Sequence, residues 1–316
     1  MPVRRLTVEA PGKVNLFLEV LEERADGYHE VRSLMAHISI CDILTFERTG
    51  GRLDLKVRTS GIPVSEQTRL SKSSDNLVMK AALALRKATG YRGGAKMRLE
   101  KHIPIAAGLG GGSADAAAAL RGLNQLWQTG LSIADLCDIG GKLGSDVPAM
   151  VCGGVVTLEG MGERVRPVEM RCGRKPCKWH VVVVNPGFGV STKDICTRYT
   201  TVLTSKRGQY KRIVSAVANW DTEAAARDLF NSLECTVFHK YPLLSMIADG
   251  LRAAGAQGVL LCGSGASVFA LAKSGLHARV IARDIGRTMG PWLWTRVAEV
   301  LPDGVTVAHG PLEARV

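Results

Sequence analysis

From residue 6 to residue 46, apolar residues follow a pattern that is typical of β-strands. Apolar runs at 14–21 and 34–40 are joined by a charged turn around 24–27. A polar turn between two apolar runs is a hairpin signature, so we predict antiparallel strands here. A further strand is predicted at 95–99, directly before a glycine-rich segment.

Helical spacing of apolar residues begins after this opening. A first helix is predicted between Asp75, which would cap it, and Gly90, which would end it. The segment GLGGGSADAAAAL predicts a second helix that follows directly on its glycines. Ser132 should begin a third helix with Ile133, Leu136 and Cys137 facing inward, and Asp146 should mark the start of a fourth.

The second half of the chain follows a polar, proline-containing connection at 164–178, so we place a domain boundary near residue 168. A buried strand is predicted at 181–184 and a hairpin in GVLLCGSGASVFALA. Helical spacing between them predicts one amphipathic helix across 226–237, and closing strands are expected around 292–297 and 305–308.

Composition indicates a folded protein of 316 residues, 46% hydrophobic and 22% charged. The longest apolar runs contain Gly and Ser and are shorter than the ~18 residues of a membrane span. The start of the chain lacks an apolar signal-peptide core, so we expect a cytoplasmic protein that does not contact a membrane. The eight cysteines lack paired CxxC spacing, which argues for reduced thiols and against a metal site.

Charge adds a preference for anionic partners. Lys and Arg number 41 against 29 Asp and Glu, which gives a net charge of +12. Nucleotides, phosphates and nucleic acid would all suit that charge. The basic residues are scattered and no nucleic-acid-binding motif is present, so we expect an anion-binding cleft and no nucleic-acid partner.

The glycine-rich segment 108–113 is the strongest chemical signal. Bare glycine backbone can wrap around phosphate groups, and the N-terminus of the following helix offers unpaired N–H groups. The segment is neither the P-loop GxxxxGK(S/T) nor the dinucleotide-binding GxGxxG after a parallel strand. The plain alternative is a flexible turn before a helix.

A lysine and an aspartate, distant in sequence, are the candidate catalytic pair. Lys13 and Asn15 lie on an apolar strand, where a charged side chain must reach the surface or find a partner. Asp146 would satisfy Lys13, and the pair would suit a kinase in which Asp accepts the proton of the substrate hydroxyl. The alternative for Asp146 is an ordinary helix cap before proline.

Two further segments have weaker signals. Tyr28 and His29 offer a stacking face and a hydrogen-bonding ring to a nucleobase, although a surface Tyr–His pair is equally common. The turn Gly263, Ser264 and Gly265 connects two apolar strands. It is either a simple hairpin turn or a turn whose backbone N–H groups face a ligand.

Taken in order, APGKVNLFLEV, RADGYHEVRSLM, IPIAAGLGGGSADAA, LGSDVPAM and LCGSGASVFAL resemble the GHMP kinases, the superfamily of galactokinase, homoserine kinase, mevalonate kinase and phosphomevalonate kinase. The resemblance extends from about residue 10 to residue 271. It implies an α+β, two-domain GHMP kinase fold, with a ribosomal-protein-S5-like, ATP-binding N-terminal domain at 1–168 and a ferredoxin-like C-terminal domain at 169–316. ATP and Mg²⁺ are then expected between the domains.

The resemblance also implies residue roles. Asp146 would be the catalytic base and Lys13 its partner, Asn15 would help to hold the substrate, and Tyr28 and His29 would bind cytosine. The positions that match the ATP site are Asn76, Lys101, Gly108, Leu109, Gly110, Gly111, Gly112 and Ser113. Ser113 is also the candidate Mg²⁺ ligand.

ADGYHE together with LGSDVP indicates the branch of the family that phosphorylates the 2-hydroxyl of a methylerythritol carrying cytidine diphosphate, in non-mevalonate isoprenoid precursor synthesis. Two positions depart from that pattern. Cys196 stands where an aromatic residue is expected over the cytosine, which leaves Tyr199 or Phe188 as substitutes, and Ser232 replaces the aspartate of the family's NDLE.

Two other functions stay open from the sequence. The first is a GHMP kinase of the homoserine or mevalonate type, which needs no cytidine site. The second is a non-catalytic binding protein on the same scaffold. The expected partner is a small-molecule substrate with a cytidine diphosphate moiety, and the protein itself is expected to be a monomer or a homodimer.

Overall fold

The structure is a computed structural model, and it describes residues 5–23, 29–62, 75–171, 178–199, 206–302 and 307–308. Runs of strands and runs of helices follow one another along the described chain, as in an α+β protein. None of the helices in these ranges is long and apolar enough to cross a membrane.

The described strands are β1 (Arg5–Glu23), β2 (His29–Thr49), β3 (Leu53–Thr59), β4 (Gly94–Lys101), β5 (Val155–Gly160), β6 (Arg164–Pro167), β7 (His180–Asn185), β8 (Phe230–Asn231), β9 (Gly258–Leu261), β10 (Val268–Ala272), β11 (Trp294–Leu301) and β12 (Val307–Ala308). The described helices are α1 (Leu77–Thr89), α2 (Gly111–Trp127), α3 (Ile133–Gly141), α4 (Val147–Cys152), α5 (Thr192–Arg198), α6 (Arg207–Ala218), α7 (Thr222–Arg227), α8 (Glu234–Lys240), α9 (Pro242–Ala253) and α10 (Gly275–Met289).

The long strands β1 and β2 form the centre of the first half. They pair antiparallel from Arg5↔Glu47 to Glu23↔His29, with irregularities that include one between Pro11 and Lys13. β4 and β5 pair antiparallel with β2, and β3 pairs parallel with β4. Helices α1 to α4 bury their apolar faces against this sheet in one hydrophobic core, because a sheet with one apolar face needs a covering layer.

The second half is continuous with the first through the sheet. β11 pairs with β2 at one end and with β7 along most of its length, and β7 pairs with β10, which pairs with β9, all antiparallel. The two-residue strand β8 joins β1 in parallel. Helices of this half pack on a second face with their own core. The domain boundary near residue 168 falls between β6 and β7 and stays a prediction.

Several predicted elements are confirmed. The antiparallel opening strands, the strand at 95–99, the helix after the glycines and the hairpin around residue 264 are all present. Ser132 caps α3 with a reciprocal bond to Asp135, and Gly90 ends α1 in the left-handed conformation. These signals are local, so neighbouring residues suffice to specify them.

Four expectations were wrong or incomplete. Asn76, one residue later than Asp75, caps α1 by accepting from the N–H of Val78. Ile133 is 44% exposed instead of inward-facing. The single helix expected across 226–237 is broken by β8, because Phe230 and its neighbour pair with β1. The prediction also omitted β3, whose pairing with β4 is a tertiary contact.

Candidate active site

A cleft of about 890 Å³ lies where the glycine loop, the start of α4 and the turn at 263–265 meet strand β1. Its lining includes Lys13, Asn15 and Asp146 together with most of the glycine loop. The tertiary structure therefore brings into one cavity side chains that are separated by more than a hundred residues in sequence.

Glycine is required in the loop for two reasons. Gly108 and Gly110 have φ angles of 78° and 67°, a backbone region that disfavours side chains. A Cβ at Gly108 would also lie 1.9 Å from the carbonyl oxygen of Cys262. Gly110 then occupies the N-cap position of α2, where it has no side chain to cap the helix. The first N–H groups of α2 have no partner within the helix and thus can bind an anion.

The turn at 263–265 packs against this loop and holds its shape. The N–H of Ser267 donates to the carbonyl of Ala107 over 3.0 Å. Asn231 supports the turn from beneath, because its Nδ2 donates to the carbonyls of Gly263 (2.7 Å) and Leu261 (3.0 Å). Sequence reasoning missed this role of Asn231. The available signal was a polar residue within an apolar helical pattern.

Lys13 is buried, 4% exposed, and its ammonium has two oxygen neighbours. Asn15 Oδ1 lies 2.5 Å from Lys13 Nζ, and Asp146 Oδ2 lies 3.9 Å away. Asn15 Nδ2 in turn donates to Ser33 Oγ over 2.9 Å. A buried cation needs such partners to stay charged. The expected proximity of Lys13 to Asp146 is present, with Asn15 as the closer partner.

The structure weighs against the plain cap alternative for Asp146. The residue occupies the N-cap position of α4, yet its side chain makes no cap hydrogen bond to the described residues of that helix. Its side chain is 38% exposed in the cleft, at ion-pair distance from Lys13. A carboxylate with these two properties can accept a proton from a ligand in the cleft.

His37 lies on β2 opposite Lys13 and was missed by sequence reasoning. It is the cross-strand neighbour of Lys13 and is fully buried. Its Nδ1 donates to the carbonyl of Gly154 over 2.7 Å, and its Nε2 lies 3.0 Å from the sulfur of Met150. Burial lowers the pKa of His37 to about 4, with the Gly154 bond opposing and the charge of Lys13 adding to the effect. His37 is therefore neutral at physiological pH.

Lys101 lines the cleft but is only 5% exposed. Its ammonium is buried between two carboxylates, binding Asp42 and, over 2.7 Å, Asp115 Oδ2. Burial by itself would lower the pKa of Lys101, but the charges of Asp115 and Asp42 outweigh it and the pKa is raised. A Cβ at Gly111 would lie 3.2 Å from Lys101 Nζ, so this positive charge sits behind the first residue of α2.

Asp115 is the least satisfied member of this triad. Its Oδ1 is buried without a hydrogen-bond partner among the described residues. Burial raises the pKa of Asp115 well above its usual range, and the neighbouring Asp42 adds to the shift. Asp42 is better satisfied, because its Oδ1 accepts from the backbone N–H groups of His102 and Ile103.

Of the remaining positions of the expected ATP site, some line the cleft and one, Leu109, is buried behind it. Asn76 lines the cleft while its side chain caps α1. Leu109 is 1% exposed, and its carbonyl accepts from the N–H of Lys13 over 2.9 Å. Ser113 and its preceding glycines line the cleft. Within the described ranges, no group of three or more His, Cys, Asp or Glu side chains could hold a metal ion.

The expected cytosine site is described only in part. Tyr28 and the side chain of His29 lie outside the described residues. Cys196 lines the cleft. Phe188 instead packs against the ring of Tyr241, with ring centroids 5.7 Å apart, and Tyr199 packs against the same hydrophobic core.

Comparison with known proteins identifies the domains of one family in this chain. Residues 76–154 match the GHMP kinases N terminal domain and residues 213–291 match the GHMP kinases C terminal domain. A 4-diphosphocytidyl-2-C-methyl-D-erythritol kinase of Pelotomaculum thermopropionicum is 41% identical over 293 residues, 92% of this chain and 97% of the relative. The kinase of the same name from Geobacillus thermodenitrificans is 39% identical over 267 residues, 84% of this chain and 88% of the relative.

Solved structures give the same result for the fold. The crystal structure of a 4-(cytidine 5'-diphospho)-2C-methyl-D-erythritol kinase has a TM-score of 0.75 at 31% identity and covers 93% of this chain and 98% of its own. Homoserine kinase from Cytophaga hutchinsonii has a TM-score of 0.76 at 21% identity over 96% of this chain and 97% of its own, which shows the shared fold alone. The expected two-domain α+β fold is confirmed, and the chain belongs to the GHMP kinases and, within them, to the 4-diphosphocytidyl-2-C-methyl-D-erythritol kinase family.

Proposed function

We propose that the protein transfers the γ-phosphoryl group of ATP to the 2-hydroxyl of 4-diphosphocytidyl-2-C-methyl-D-erythritol, giving the 2-phosphate and ADP in non-mevalonate isoprenoid precursor synthesis. The observation that carries the proposal is the placement of the Lys13–Asp146 pair and the open N-terminus of α2 in one cleft. The relatives named for this reaction cover most of the chain.

The glycine loop suits the triphosphate of ATP, the phosphate donor of GHMP kinases. N–H groups at the start of α2 can donate to phosphate oxygens without reorganising. Lys101 lies behind Gly111, where Asp42 and Asp115 offset its charge, so we assign it to supporting the phosphate loop. We assign Asn76 to the adenosine end of the cleft, which it lines. Mg²⁺, the metal that accompanies ATP in kinases, would neutralise phosphate charge, and Ser113 is its proposed ligand.

Asp146 is the proposed base. It would accept the proton of the substrate hydroxyl as that oxygen attacks the γ-phosphorus. Lys13 Nζ lies 3.9 Å from Asp146 Oδ2, and its charge would offset the charge that develops on the transferred group. Asn15 holds the ammonium of Lys13 in place and is the proposed contact to the acceptor. Most of the catalysis would come from positioning.

We assign recognition of the cytosine to Tyr28 and His29, which follow the family pattern. Cys196 lines the cleft, so a thiol stands where the family pattern leads us to expect an aromatic ring. Its smaller contact area should weaken binding of the base without altering phosphoryl transfer. The proposed location of the reaction is the cytoplasm, where ATP is available.

The test is ADP release by the purified protein with Mg-ATP and 4-diphosphocytidyl-2-C-methyl-D-erythritol, with homoserine and mevalonate as competing acceptors. Asp146→Asn should lower turnover by about 10² or more, the usual contribution of a general base, while thermal unfolding and ATP binding stay near wild type. Asp249→Asn, a change of an exposed aspartate on α9, is the matched control.

Each result has a defined meaning. Turnover confined to the cytidylyl substrate and lost in Asp146→Asn supports both the substrate and the base. Preferred turnover of homoserine or mevalonate would replace the proposed substrate. Folded protein that turns over none of the three would favour a binding protein on this scaffold.

A further inference from the structure

Two cysteines lie in contact behind the active site, on the helices α3 and α4. The sulfur atoms of Cys137 and Cys152 are 3.5 Å apart, and Cys137 Sγ is also 3.5 Å from the carbonyl oxygen of Pro148. Both side chains are half-buried, and both are free thiols that form no disulfide. A disulfide requires sulfurs about 2.05 Å apart, so a modest approach of the two helices would allow the bond to form.

The surroundings activate one of the two thiols. The hydrogen bond from Cys137 lowers the pKa of Cys152 to about 7, burial opposes this shift, and the guanidinium of Arg121 adds to it. Arg121 is anchored there because its Nη1 donates to the carbonyl of Val151 over 2.9 Å. The hydrogen bond with Cys152, together with burial, raises the pKa of Cys137. The pair thus has an attacking thiolate and a resolving thiol, the arrangement found in redox-sensitive cysteines.

We propose that Cys137 and Cys152 form a redox modification site, in which a peroxide converts the two thiols to a disulfide that thiol reductants reverse. In the first step the Cys152 thiolate attacks the peroxide O–O bond, which gives a sulfenic acid and hydroxide. Cys137 then attacks that sulfur, the S–S bond forms, and water leaves. The two sulfurs lose two electrons in total, and the peroxide is reduced.

The bond would act on the active site through α4. Cys152 ends this helix and Asp146 precedes it, six residues and about 9 Å away along the axis. Met150 in the same helix contacts His37 and packs over Gly110. Drawing the end of α4 toward α3 therefore displaces Asp146 relative to Lys13. Misplacement of a catalytic group by about 1 Å can cost roughly 10²-fold in rate, and we expect a loss of at least about fivefold.

The test treats the purified full-length protein with hydrogen peroxide and follows two readouts. Peptide mass spectrometry without reduction assigns the linkage among the eight cysteines, and turnover is measured before oxidation, after it, and after dithiothreitol. The variants are Cys137→Ser, Cys152→Ser and, as the matched control, Cys235→Ser, which changes an exposed cysteine of α8. Rate measurements across pH should show faster oxidation as pH rises through about 7.

The expected result is a Cys137–Cys152 linkage in wild type and Cys235→Ser, absent from the other two variants, with a reversible loss of turnover only where the linkage forms. Absence of the linkage under conditions that oxidise Cys235 would overturn the proposal. A linkage that leaves turnover unchanged would overturn its coupling to Asp146. That coupling rests on the proposed function, whereas the linkage is read by mass and does not depend on any activity.

Discussion

The neutral, buried His37 predicts how stability depends on pH. Its pKa falls from 6.5 to about 4 on folding, first because of burial and then because of Lys13, against the opposing bond to Gly154. Each pKa unit corresponds to about 1.36 kcal/mol. At a pH low enough to protonate His37 in both the folded and the unfolded protein, the free energy of unfolding is therefore about 3 kcal/mol lower than at neutral pH.

The sign follows from proton linkage. Between pH 6.5 and about 4 the unfolded chain binds a proton at His37 that the folded protein does not, so lowering the pH favours unfolding. The resulting loss of stability is negligible above about pH 7, reaches about 2 kcal/mol at pH 5, and levels off below about pH 4. Carboxylates also change the stability of the protein in this pH range. The informative quantity is therefore the difference between wild type and a variant in the stability lost on acidification.

His37→Gln isolates this contribution. A glutamine amide can still donate to the Gly154 carbonyl, but it cannot take up a proton, so the variant should lose less stability than wild type on acidification. Urea unfolding at pH 7 and pH 5 measures both proteins. We expect the wild type to lose about 2 kcal/mol more than the variant over this range. His239→Gln, a change of an exposed histidine, is the control and should follow wild type.

Equal losses in wild type and His37→Gln would refute the reasoning. That outcome would mean that His37 takes up its proton in the folded state as readily as in the unfolded state. A variant that is unfolded at pH 7 would be replaced by His37→Asn, for which the same comparison applies. Turnover of the folded variant should fall, because loss of the His37 contact misplaces Met150 and α4.

Two further predictions concern buried parts of the site. Lys101→Met leaves two carboxylates buried without their cation, so urea unfolding at pH 7 should show that the free energy of unfolding falls by about 3–5 kcal/mol. Adding Asp115→Asn should recover part of this stability. An unchanged unfolding midpoint for Lys101→Met would contradict the buried triad. Gly108→Ala places a methyl group 1.9 Å from the Cys262 carbonyl oxygen, so isothermal titration should show weakened ATP binding. Gly112→Ala meets only a Leu side chain at 3.4 Å and should keep wild-type stability; equal behaviour of the two glycine variants would contradict the loop geometry.

Local sequence determined the elements whose stability depends on near neighbours. Ser132 caps α3, Gly90 ends α1, and the glycines precede α2, each as predicted. These positions are readable because a cap or a left-handed residue satisfies backbone groups only a few residues away. Family motifs further marked Lys13 and Asp146 as partners before any distance was known.

Tertiary structure decided the features that depend on contacts between distant segments. The helix expected across 226–237 is interrupted because Phe230 pairs with β1 and Asn231 satisfies the carbonyls of a turn thirty residues away. The neutrality of His37 and the charge of Lys101 likewise depend on groups from other elements. Burial and long-range pairing outweigh a local helical preference of a few tenths of a kcal/mol per residue. Only the folded chain brings those competing interactions together.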